Sequence, residues 1–506
     1  MWNRRKRSQS DQSDEVIFPL KIDELKNLLV ETFVNSSSLN FTKYKINNKN
    51  VAVFFIDYQV EGAKLGPFLE PLLEFDSDKE FTYQTLLNGL PLSTGSTSNT
   101  LKDIQKKLIS GEAFIYIEKE KQAISYPLTI KETRSPGKAE TESLVLGPKI
   151  AFTESILKNM NIIRWQINST DLVFEEFTVG KQAPREVRIA YMKSVANEDD
   201  VNTIRQRIKE LDVDQIEGTI VLKQYLEDSQ TNLFPQFDET ELPDRFAYNV
   251  TRGKIGVLVD GSPTSFIAPA TLFSFLESTE DLYMRWQAGS FLRILRFLAM
   301  FFSILVTPTY VAAATYQYAI IPSQLLVSIG QSRAAVPFPP IFEALLLEFL
   351  LELLREAGAR LPTKVGQTMG IVGGIVIGQA AVEAGLTSNI LIIVVAMSAL
   401  SSFTTPSYLF GTTIRLIRFP LIILAGFLGL AGIVFGVSFL LIHLLRLTSL
   451  GRPYLVPIYP LRLADFNKVF FRTPFSYESK RAKSYRPKDL IRFNKKDAKQ
   501  KRDIDE

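Results

Sequence analysis

The sequence contains no cysteine and a single histidine, His443. Without cysteine the chain has no disulfide, no thiolate nucleophile and no cysteine metal site. One histidine nearly excludes a Ser-His-Asp triad or a multi-histidine zinc site. Nucleotide-binding motifs and acidic triplets at metal-ligand spacing are also missing from the sequence. We therefore expect a protein that is not an enzyme and that needs no metal and no cofactor.

The start of the chain has no apolar core of the kind found in secretory signals. Residues 1–15 are basic and polar, which predicts a disordered arm that is either solvated or in contact with anionic lipid. We expect this N-terminus to stay in the cytoplasm. The net charge is only +4 over 506 residues, which does not indicate a nucleic-acid partner.

Charge is nearly absent from a long stretch of the C-terminal half. Between residues 365 and 445 the only charged side chains are Glu383, Arg415 and Arg418. Four apolar runs have the length expected of membrane-spanning helices: 291–314, 365–385, 388–405 and 419–445. The sequence therefore predicts an α-helical polytopic membrane domain over residues 289–447, followed by a basic cytoplasmic tail at 448–506.

The N-terminal half is polar and mixes helical and strand-like patterns. Residues 22–34 have helical spacing, whereas 51–60 is a β-branched and aromatic run of strand length. A polar stretch with Pro and Gly at 135–143 predicts a boundary. We predict an α/β two-lobed soluble N-terminal domain, with subdomain 1 over 16–145 and subdomain 2 with its connector over 146–288.

Residues 340–358 have the pattern of an amphipathic helix that begins with prolines. Glu348, Glu352 and Glu356 fall on its acidic side, and the other side is rich in leucine. The helix is too acidic to face lipid all round. It either lies in the membrane interface or turns these carboxylates toward a water-filled vestibule.

The charge distribution leaves the number of spans open. The N-terminus and the basic tail both belong inside, which requires an even number of spans. Four spans would place five basic residues outside, against the same rule: Arg355, Arg360, Lys364, Arg415 and Arg418. A fifth, weak span at 318–333 would return those residues to the inside but would expel the tail.

The stretch 366–378 is rich in glycine. A phosphate-binding loop of the Walker kind needs Lys and Ser or Thr directly after its last glycine, but Gly378 is followed by Gln379 and two alanines. Gly370, Gly374 and Gly378 recur at every fourth residue within an apolar run. They predict a doubled G-x-x-x-G face on which another helix can pack.

The other side of this helix carries one stripe, which consists of Val372, Val376, Gln379 and Glu383. In an oligomer packed through the glycine face, the stripe would line a pore. The valines would form a hydrophobic gate, and Gln379 with Glu383 would favour cations. The alternative is that Glu383 lies at the helix end, in water.

Long blocks follow in order between residues 147 and 460: "GPKIAFTESILKNMNIIRWQI" (147–167), "GKIGVLVDGSP" (253–263), the segment 337–389 and "RPYLVPIYP" (452–460). On these blocks the chain resembles the A-subunit family of bacterial spore germination receptors, the GerA type. The first 145 residues contribute little to the resemblance.

The resemblance implies the A subunit of a spore germinant receptor in the spore inner membrane, with the N-terminal domain on the cytoplasmic, spore-core side. It implies two partners, a transporter-like B subunit that senses the nutrient and a lipoprotein C subunit. It also implies a homo-oligomer, such as a pentamer, that acts as a nutrient-gated cation channel and triggers germination by ion release. The family's pore falls on Val372, Val376 and Gln379 through the matching helix.

Two other interpretations stay open at this point. A related branch of the same family amplifies ion release without a nutrient role. Alternatively, the chain is a membrane sensor or scaffold subunit whose N-terminal domain closes on a small ligand.

Overall fold

The computed structural model describes residues 18–33, 38–73, 82–84, 86, 95–129, 137, 139, 142, 145–361, 374 and 378–494. Two α/β lobes come first in the chain, and a bundle of helices follows. This arrangement confirms the predicted α/β two-lobed domain followed by a helical domain.

Lobe 1 is a five-stranded antiparallel sheet with the strand order β1-β2-β4-β5-β3. Helices α1 and α3 cover one face of the sheet, and α2 covers the other. Because β2 is buried on both faces, its sequence is an almost continuous apolar run. The elements are α1 Ile22–Thr32, β1 Leu39–Ile46, β2 Lys49–Ile56, α2 Gly62–Leu73, β3 Ser96–Ser98, α3 Leu101–Leu108, β4 Glu112–Ile117 and β5 Ala123–Pro127.

Lobe 2 repeats this plan, with the strand order β6-β7-β9-β10-β8 in a second antiparallel sheet. Helices α4 and α7 cover one face, and α5 and α6 cover the other. The elements are α4 Ile156–Gln166, β6 Leu172–Val179, β7 Arg185–Met192, α5 Glu198–Glu210, α6 Thr219–Leu226, β8 Asp238–Thr240, α7 Pro243–Val250, β9 Ile255–Val259 and β10 Ser265–Ala268.

The two lobes pack on each other through equivalent faces. One cluster of buried apolar side chains runs through both of them. The ring of Tyr58 in lobe 1 lies 6.0 Å from that of Phe174 in lobe 2. The hydroxyl of Tyr58 accepts hydrogen bonds from Arg164 Nε at 3.2 Å and Nη2 at 3.1 Å. In the part of the chain that the structure describes, the lobes therefore meet through a continuous core rather than across an open cleft.

The second half of the chain is almost entirely helical. Two of the described helices, α9 and α13, have the length and apolar composition needed to cross a membrane, and α12 is apolar but shorter. Residues 378–383 are also helical. The elements are α8 Glu280–Tyr283, α9 Trp286–Thr315, α10 Ser323–Arg333, α11 Pro340–Arg360, α12 Asn389–Phe403, α13 Tyr408–Arg446, β11 Thr448–Ser449, β12 Arg452–Pro453 and α14 Leu463–Phe470.

Helix α13 is a hairpin of two antiparallel helices. The backbone breaks at Gly429, where φ is 61° and ψ is −141°. A Cβ at Gly436 would lie 2.5 Å from the side chain of Leu421, so the two halves are in contact. Both ends meet Phe234 of lobe 2, since the rings of Phe410 and His443 lie 6.4 Å and 6.1 Å from it. The single span predicted at 419–445 is therefore wrong, because the chain reverses at Gly429.

Some of the described helices run away from lobe 2 and others run back toward it; we call the two ends of the bundle the lobe side and the distal side. Helix α9 runs outward, and beyond its end the Gln317 side chain accepts a hydrogen bond from Leu430 N in the hairpin turn at 3.2 Å. Helix α12 runs back, because the hydroxyls of Ser388 and Tyr310 lie 3.3 Å apart and Ser398 donates to the Ser303 carbonyl at 2.9 Å.

Helix α11 also runs from the distal side to the lobe side. Glu343, near its start, contacts Ser388, whereas Arg355 lies over the ring of Phe403 at 4.8 Å. Leu361, at the end of α11, and Ser388, at the start of α12, therefore lie at opposite ends of the bundle; most of the predicted span 365–385 between them lies outside the described residues. Among the described residues, α9, α11, α12 and the two halves of α13 make five passes.

Two of the five basic residues that four spans would place outside can be located relative to lobe 2. Arg355 and Arg415 lie in the half of the bundle nearest lobe 2, on the same side as the tail. The alternative fifth span at 318–333 is wrong, because α10 has only 11 residues and buries none of them.

The segment after α13 is not a separate tail. Tyr454 is buried against lobe 2, and its hydroxyl donates to the Pro235 carbonyl at 2.7 Å. Arg452 forms a buried ion pair with Asp200 of α5 at 2.5 Å. The predicted separate tail from residue 448 is thus corrected for the described residues up to 494: they pack on lobe 2, where Arg452 pairs with Asp200 and Lys488 pairs with Glu198.

Candidate functional site: charged groups inside the helix bundle

Glu348 and Arg418 form a buried ion pair in the middle of the bundle. Their nearest N and O atoms are 2.6 Å apart, and each side chain is 2% exposed. Thr307 donates to the other carboxylate oxygen at 3.1 Å, and Arg418 donates to the Ser303 hydroxyl at 2.7 Å. Helices α9, α11 and α13 are therefore joined at one point, where either charge alone would be costly.

A second set of charges lies one turn closer to lobe 2. Glu352 accepts from Arg355 Nη1 at 2.8 Å, and Arg415 Nε is 3.4 Å from the same oxygen. The Glu352 side chain is 33% exposed. We call Glu348 and Glu352, with Arg355, Arg415 and Arg418, the charged ladder, because the pairs lie at successive levels of α11 and α13.

Glu348, Glu352 and Glu356, for which a shared vestibule was one of the two interpretations, have three different environments. Glu348 is buried, Glu352 lies between two arginines, and Glu356 pairs with Arg360 on the exposed surface of α11. The vestibule interpretation is contradicted at Glu348, because Arg418 reaches this carboxylate from α13. Sequence reasoning missed the ion pair between Glu348 and Arg418. The signal for it was a glutamate in one apolar helix and an arginine in another, because charged residues in such helices usually pair.

A further buried carboxylate, Glu343, holds the distal side together. It accepts a hydrogen bond from Ser388 N, at the start of α12, at 3.1 Å. Arg333, at the end of α10, lies 3.2 Å from its other oxygen. Sequence reasoning overlooked Glu343 because it falls on the leucine-rich side of the predicted helix.

The predicted glycine-faced helix is described only in part. Gly370, Val372 and Val376 lie outside the described residues. In the described part of the chain, a Cβ at Gly374 or Gly378 would meet no atom within 4 Å, so no described residue covers these two glycines. Gln379 and Glu383 are exposed, and the Gln379 amide donates to the Glu383 carboxylate at 2.9 Å.

These four described residues border one groove. It has a volume of about 410 Å³ and is closed on its other side by the start of α12, at Asn389 and Ile392. The groove thus brings the packing glycines and the polar end of the predicted stripe together. The two alternatives for Glu383, a place in a pore or a place in water at the helix end, both stay predictions.

The junction between lobe 2 and α9 is a second buried charge cluster. Asp281 is fully buried, with Arg293 Nε at 3.1 Å and Arg296 Nη2 at 2.7 Å. Arg293 also donates to the Lys468 carbonyl of α14 at 2.9 Å. The first turns of α9 are therefore bound to both lobe 2 and the C-terminal segment.

Asp228 binds the C-terminal segment from the other side of lobe 2. It accepts hydrogen bonds from the Thr448 hydroxyl at 2.5 Å and from Gly451 N at 2.9 Å, and it pairs with Arg207 at 2.8 Å. Burial acts to raise the pKa of Asp228, but these donors outweigh it and hold the pKa below the ordinary value of 3.8. The carboxylate is thus a stable anchor at neutral pH.

Within the described ranges, no group of three or more His, Asp or Glu side chains is placed to hold a metal ion. The buried carboxylates of the bundle are instead paired with arginines.

The arrangement is that of a helical membrane protein attached to a two-lobed domain, and comparison with known sequences identifies its family. A sequence profile described as Bacillus/Clostridium GerA spore germination protein matches residues 27–484. The chain belongs to the GerA family of spore germination proteins. The resemblance inferred from residues 147–460 is thereby confirmed, and the match extends through lobe 1, where the sequence alone indicated little likeness.

Two relatives in the GerA family align over most of this chain. Spore germination protein GerQA of Bacillus cereus is 44% identical over 450 residues, which cover 88% of this chain and 90% of that protein. Spore germination protein GerIA of Bacillus cereus is 40% identical over 475 residues, which cover 93% of this chain and 70% of that protein.

The chain is also similar to a solved structure of the GerA type. This is the crystal structure of the N-terminal domain of the A subunit of the Bacillus megaterium spore germinant receptor GerK3. The identity is 26% and the TM-score is 0.40, and the alignment covers 50% of this chain and 97% of that one.

Proposed function

We propose that this GerA-family protein is the A subunit of a spore germinant receptor and forms a nutrient-gated cation channel in the spore inner membrane. The observation that carries the proposal is the pair Gly374 and Gly378, which no described residue covers, on a helix whose polar side holds Gln379 and Glu383. A glycine face of this kind suits contact with a second copy. The channel is then a homo-oligomer, and a pentamer is the form that we favour.

Membrane insertion is supported by the bundle. Helices α9 and α13 are long and apolar, and the chain enters and leaves the bundle beside lobe 2. The arginines of the charged ladder lie in the middle of the bundle or in its half nearest lobe 2. The positive-inside rule favours basic residues on the cytoplasmic side, which would make the lobe side cytoplasmic. We therefore place the lobes and the C-terminal segment in the spore core.

The pore is assigned to the stripe of Val372, Val376, Gln379 and Glu383. The polar residues at its distal end favour cations, and the valines form a gate that excludes water when closed. The charged ladder ties α9, α11 and α13 together. A transporter-like B subunit and a lipoprotein C subunit complete the receptor and supply the nutrient signal.

The sensor alternative is less favoured, because the lobes share one core. The polar cavity beside Arg245 and Lys254 in lobe 2 has a volume of only about 20 Å³, enough for a water molecule rather than a nutrient. The amplifying branch of the family remains an alternative to a nutrient-gated role.

The channel proposal is tested by thiol modification, because the chain has no native cysteine. We would introduce Gln379→Cys, reconstitute the protein with its partner subunits, and record nutrient-triggered potassium flux before and after a small charged thiol reagent. The matched control is Met397→Cys, which lies in the apolar groove between α9 and α12 and is 44% exposed.

We expect the reagent to change the flux through Gln379→Cys and to leave Met397→Cys unaffected, because only the pore is filled with water. If nutrient triggers flux that the reagent does not alter at Gln379, the pore lies on another helix. If no flux occurs with all partners present, the sensor or scaffold interpretation takes the place of the channel.

A further inference from the structure

The segment 455–463 lies between the C-terminal end of α13 and the lobe-side part of α9. Directly before it, Tyr454 N donates to the Leu447 carbonyl at 3.0 Å, one residue after α13 ends. Directly after it, α14 packs on α9, since the rings of Phe470 and Phe297 lie 5.1 Å apart, edge to face. The segment is therefore held on the lobe side of the bundle, close to α9 and to the end of α13.

The charge pattern shows where the apolar parts of these helices stop. No charged residue occurs from 297 to 332, and none from 419 to 445. Arg296 and Arg446 directly flank these stretches on the lobe side. A membrane surface therefore lies at this level, which is also the level of the segment.

The segment exposes an unusual concentration of large apolar side chains. The exposed fractions are 43% for Ile458, 55% for Tyr459, 66% for Leu461 and 73% for Leu463. Large apolar side chains that cluster on a surface mark an interaction site. No acidic residue occurs between 447 and 464, whereas Arg462 lies among the apolar residues and Arg446 is exposed nearby.

We propose that residues 455–463 form a membrane-interface anchor that rests on the phospholipid surface on the lobe side. Leu461 and Leu463 enter the boundary between headgroups and acyl chains, Tyr459 lies among the headgroups, and Arg462 binds their phosphates. This proposal rests on the membrane insertion that is part of the proposed function. It adds a contact between the C-terminal segment and lipid, separate from the membrane-spanning helices.

The anchor has a mechanical consequence for lobe 2. The C-terminal segment is bound to lobe 2 at Asp228 and to the start of α9 through the Lys468 carbonyl. A segment that also binds the lipid surface fixes the orientation of lobe 2 relative to the bilayer.

The experiment uses the full chain in lipid nanodiscs with a single introduced cysteine that carries a fluorescent label. Leu461→Cys tests the anchor. Leu157→Cys is the matched aqueous control, because it is 48% exposed and lies near the Asp260–Gly261 turn, at the end of β9 away from the bundle. Phe302→Cys, 49% exposed in the apolar part of α9, is the control for lipid contact.

Two quenchers are compared, spin-labelled phospholipid and aqueous iodide. We expect the label at Leu461 to lose as much fluorescence to the spin-labelled lipid as the label at Phe302, and to be protected from iodide. The label at Leu157 should respond only to iodide. A Leu463→Cys variant provides a second site should Leu461→Cys not fold.

The outcomes separate the anchor from the membrane insertion on which it rests. If Leu461 responds only to iodide while Phe302 responds to lipid, the anchor is refuted and the insertion of the bundle stands. If neither quencher acts at Leu461, protein covers the segment, and a second copy or a partner replaces lipid as its occupant. If Phe302 does not respond to lipid either, membrane insertion itself fails.

Discussion

The ion pair between Glu348 and Arg418 allows a buried and an exposed interaction to be compared within one bundle. Each side chain of the buried pair is 2% exposed. Glu356 and Arg360 on α11 form a pair of similar geometry, 2.5 Å apart, but their side chains are 64% and 79% exposed. The comparison measures what burial alone contributes to the strength of such a pair.

The magnitude follows from the surroundings of Glu348. The Arg418→Met change leaves this carboxylate with one donor, Thr307, in a bundle interior with little water. Loss of one partner of a buried pair costs about 3–5 kcal/mol, whereas an exposed pair four residues apart on a helix contributes about 0.3–0.5 kcal/mol. We expect Arg418→Met to lower the free energy of unfolding by about 3–5 kcal/mol and Arg360→Met by less than about 0.5 kcal/mol.

A double variant tests the cause of the loss. With both Glu348→Met and Arg418→Met, no unpaired charge remains, so the double variant should be more stable than Arg418→Met alone. The assay is denaturant unfolding of the purified protein in micelles, followed by tryptophan fluorescence. The reasoning is refuted if Arg418→Met costs no more than Arg360→Met, or if the two changes at the buried pair simply add.

Two further predictions concern the hairpin turn and the C-terminal segment. Gly429→Ala should destabilise the protein by on the order of 1–3 kcal/mol, because φ is 61° there and a Cβ would lie 2.6 Å from the Gln317 side chain. The control is Gly330→Ala, where a Cβ meets nothing within 4 Å. This control should not lower the stability in the same unfolding assay. Asp228→Asn should lower the melting temperature at neutral pH, and its difference from the unsubstituted protein should shrink below about pH 4. The sign follows from the lowered pKa of Asp228 in the folded protein. The ionised carboxylate stabilises the fold at a pH above the ordinary pKa, and this stabilisation is lost as the pH falls through the lowered pKa. A difference in melting temperature that stays constant with pH would contradict the prediction.

Prediction from sequence worked best where one periodicity dominates and burial is uniform. The predicted helix at 340–358 is observed as Pro340–Arg360, and the strand at 51–60 as Lys49–Ile56. Patterns of this kind arise within a single element. They do not require knowledge of what packs against it.

The errors came from features that depend on two elements at once. The run 419–445 has no charge and no proline after Pro420, so nothing local separates one long helix from two short ones. The reversal at Gly429 is favoured because the Gln317 side chain, beyond the end of α9, reaches the turn, a contact across 113 residues. In the same way, the sequence left a membrane interface and a water-filled vestibule open for Glu348, because its partner Arg418 lies on another helix.

The sequence by itself determined the class of the protein, its family and the division into a polar α/β half and an apolar helical half, because composition and long motifs are properties of the chain alone. The tertiary structure decided which charges meet, that the chain reverses at Gly429 and where the C-terminal segment binds. Each of these depends on contacts between residues far apart in sequence. Such contacts are selected by the packing of whole helices rather than by local preference.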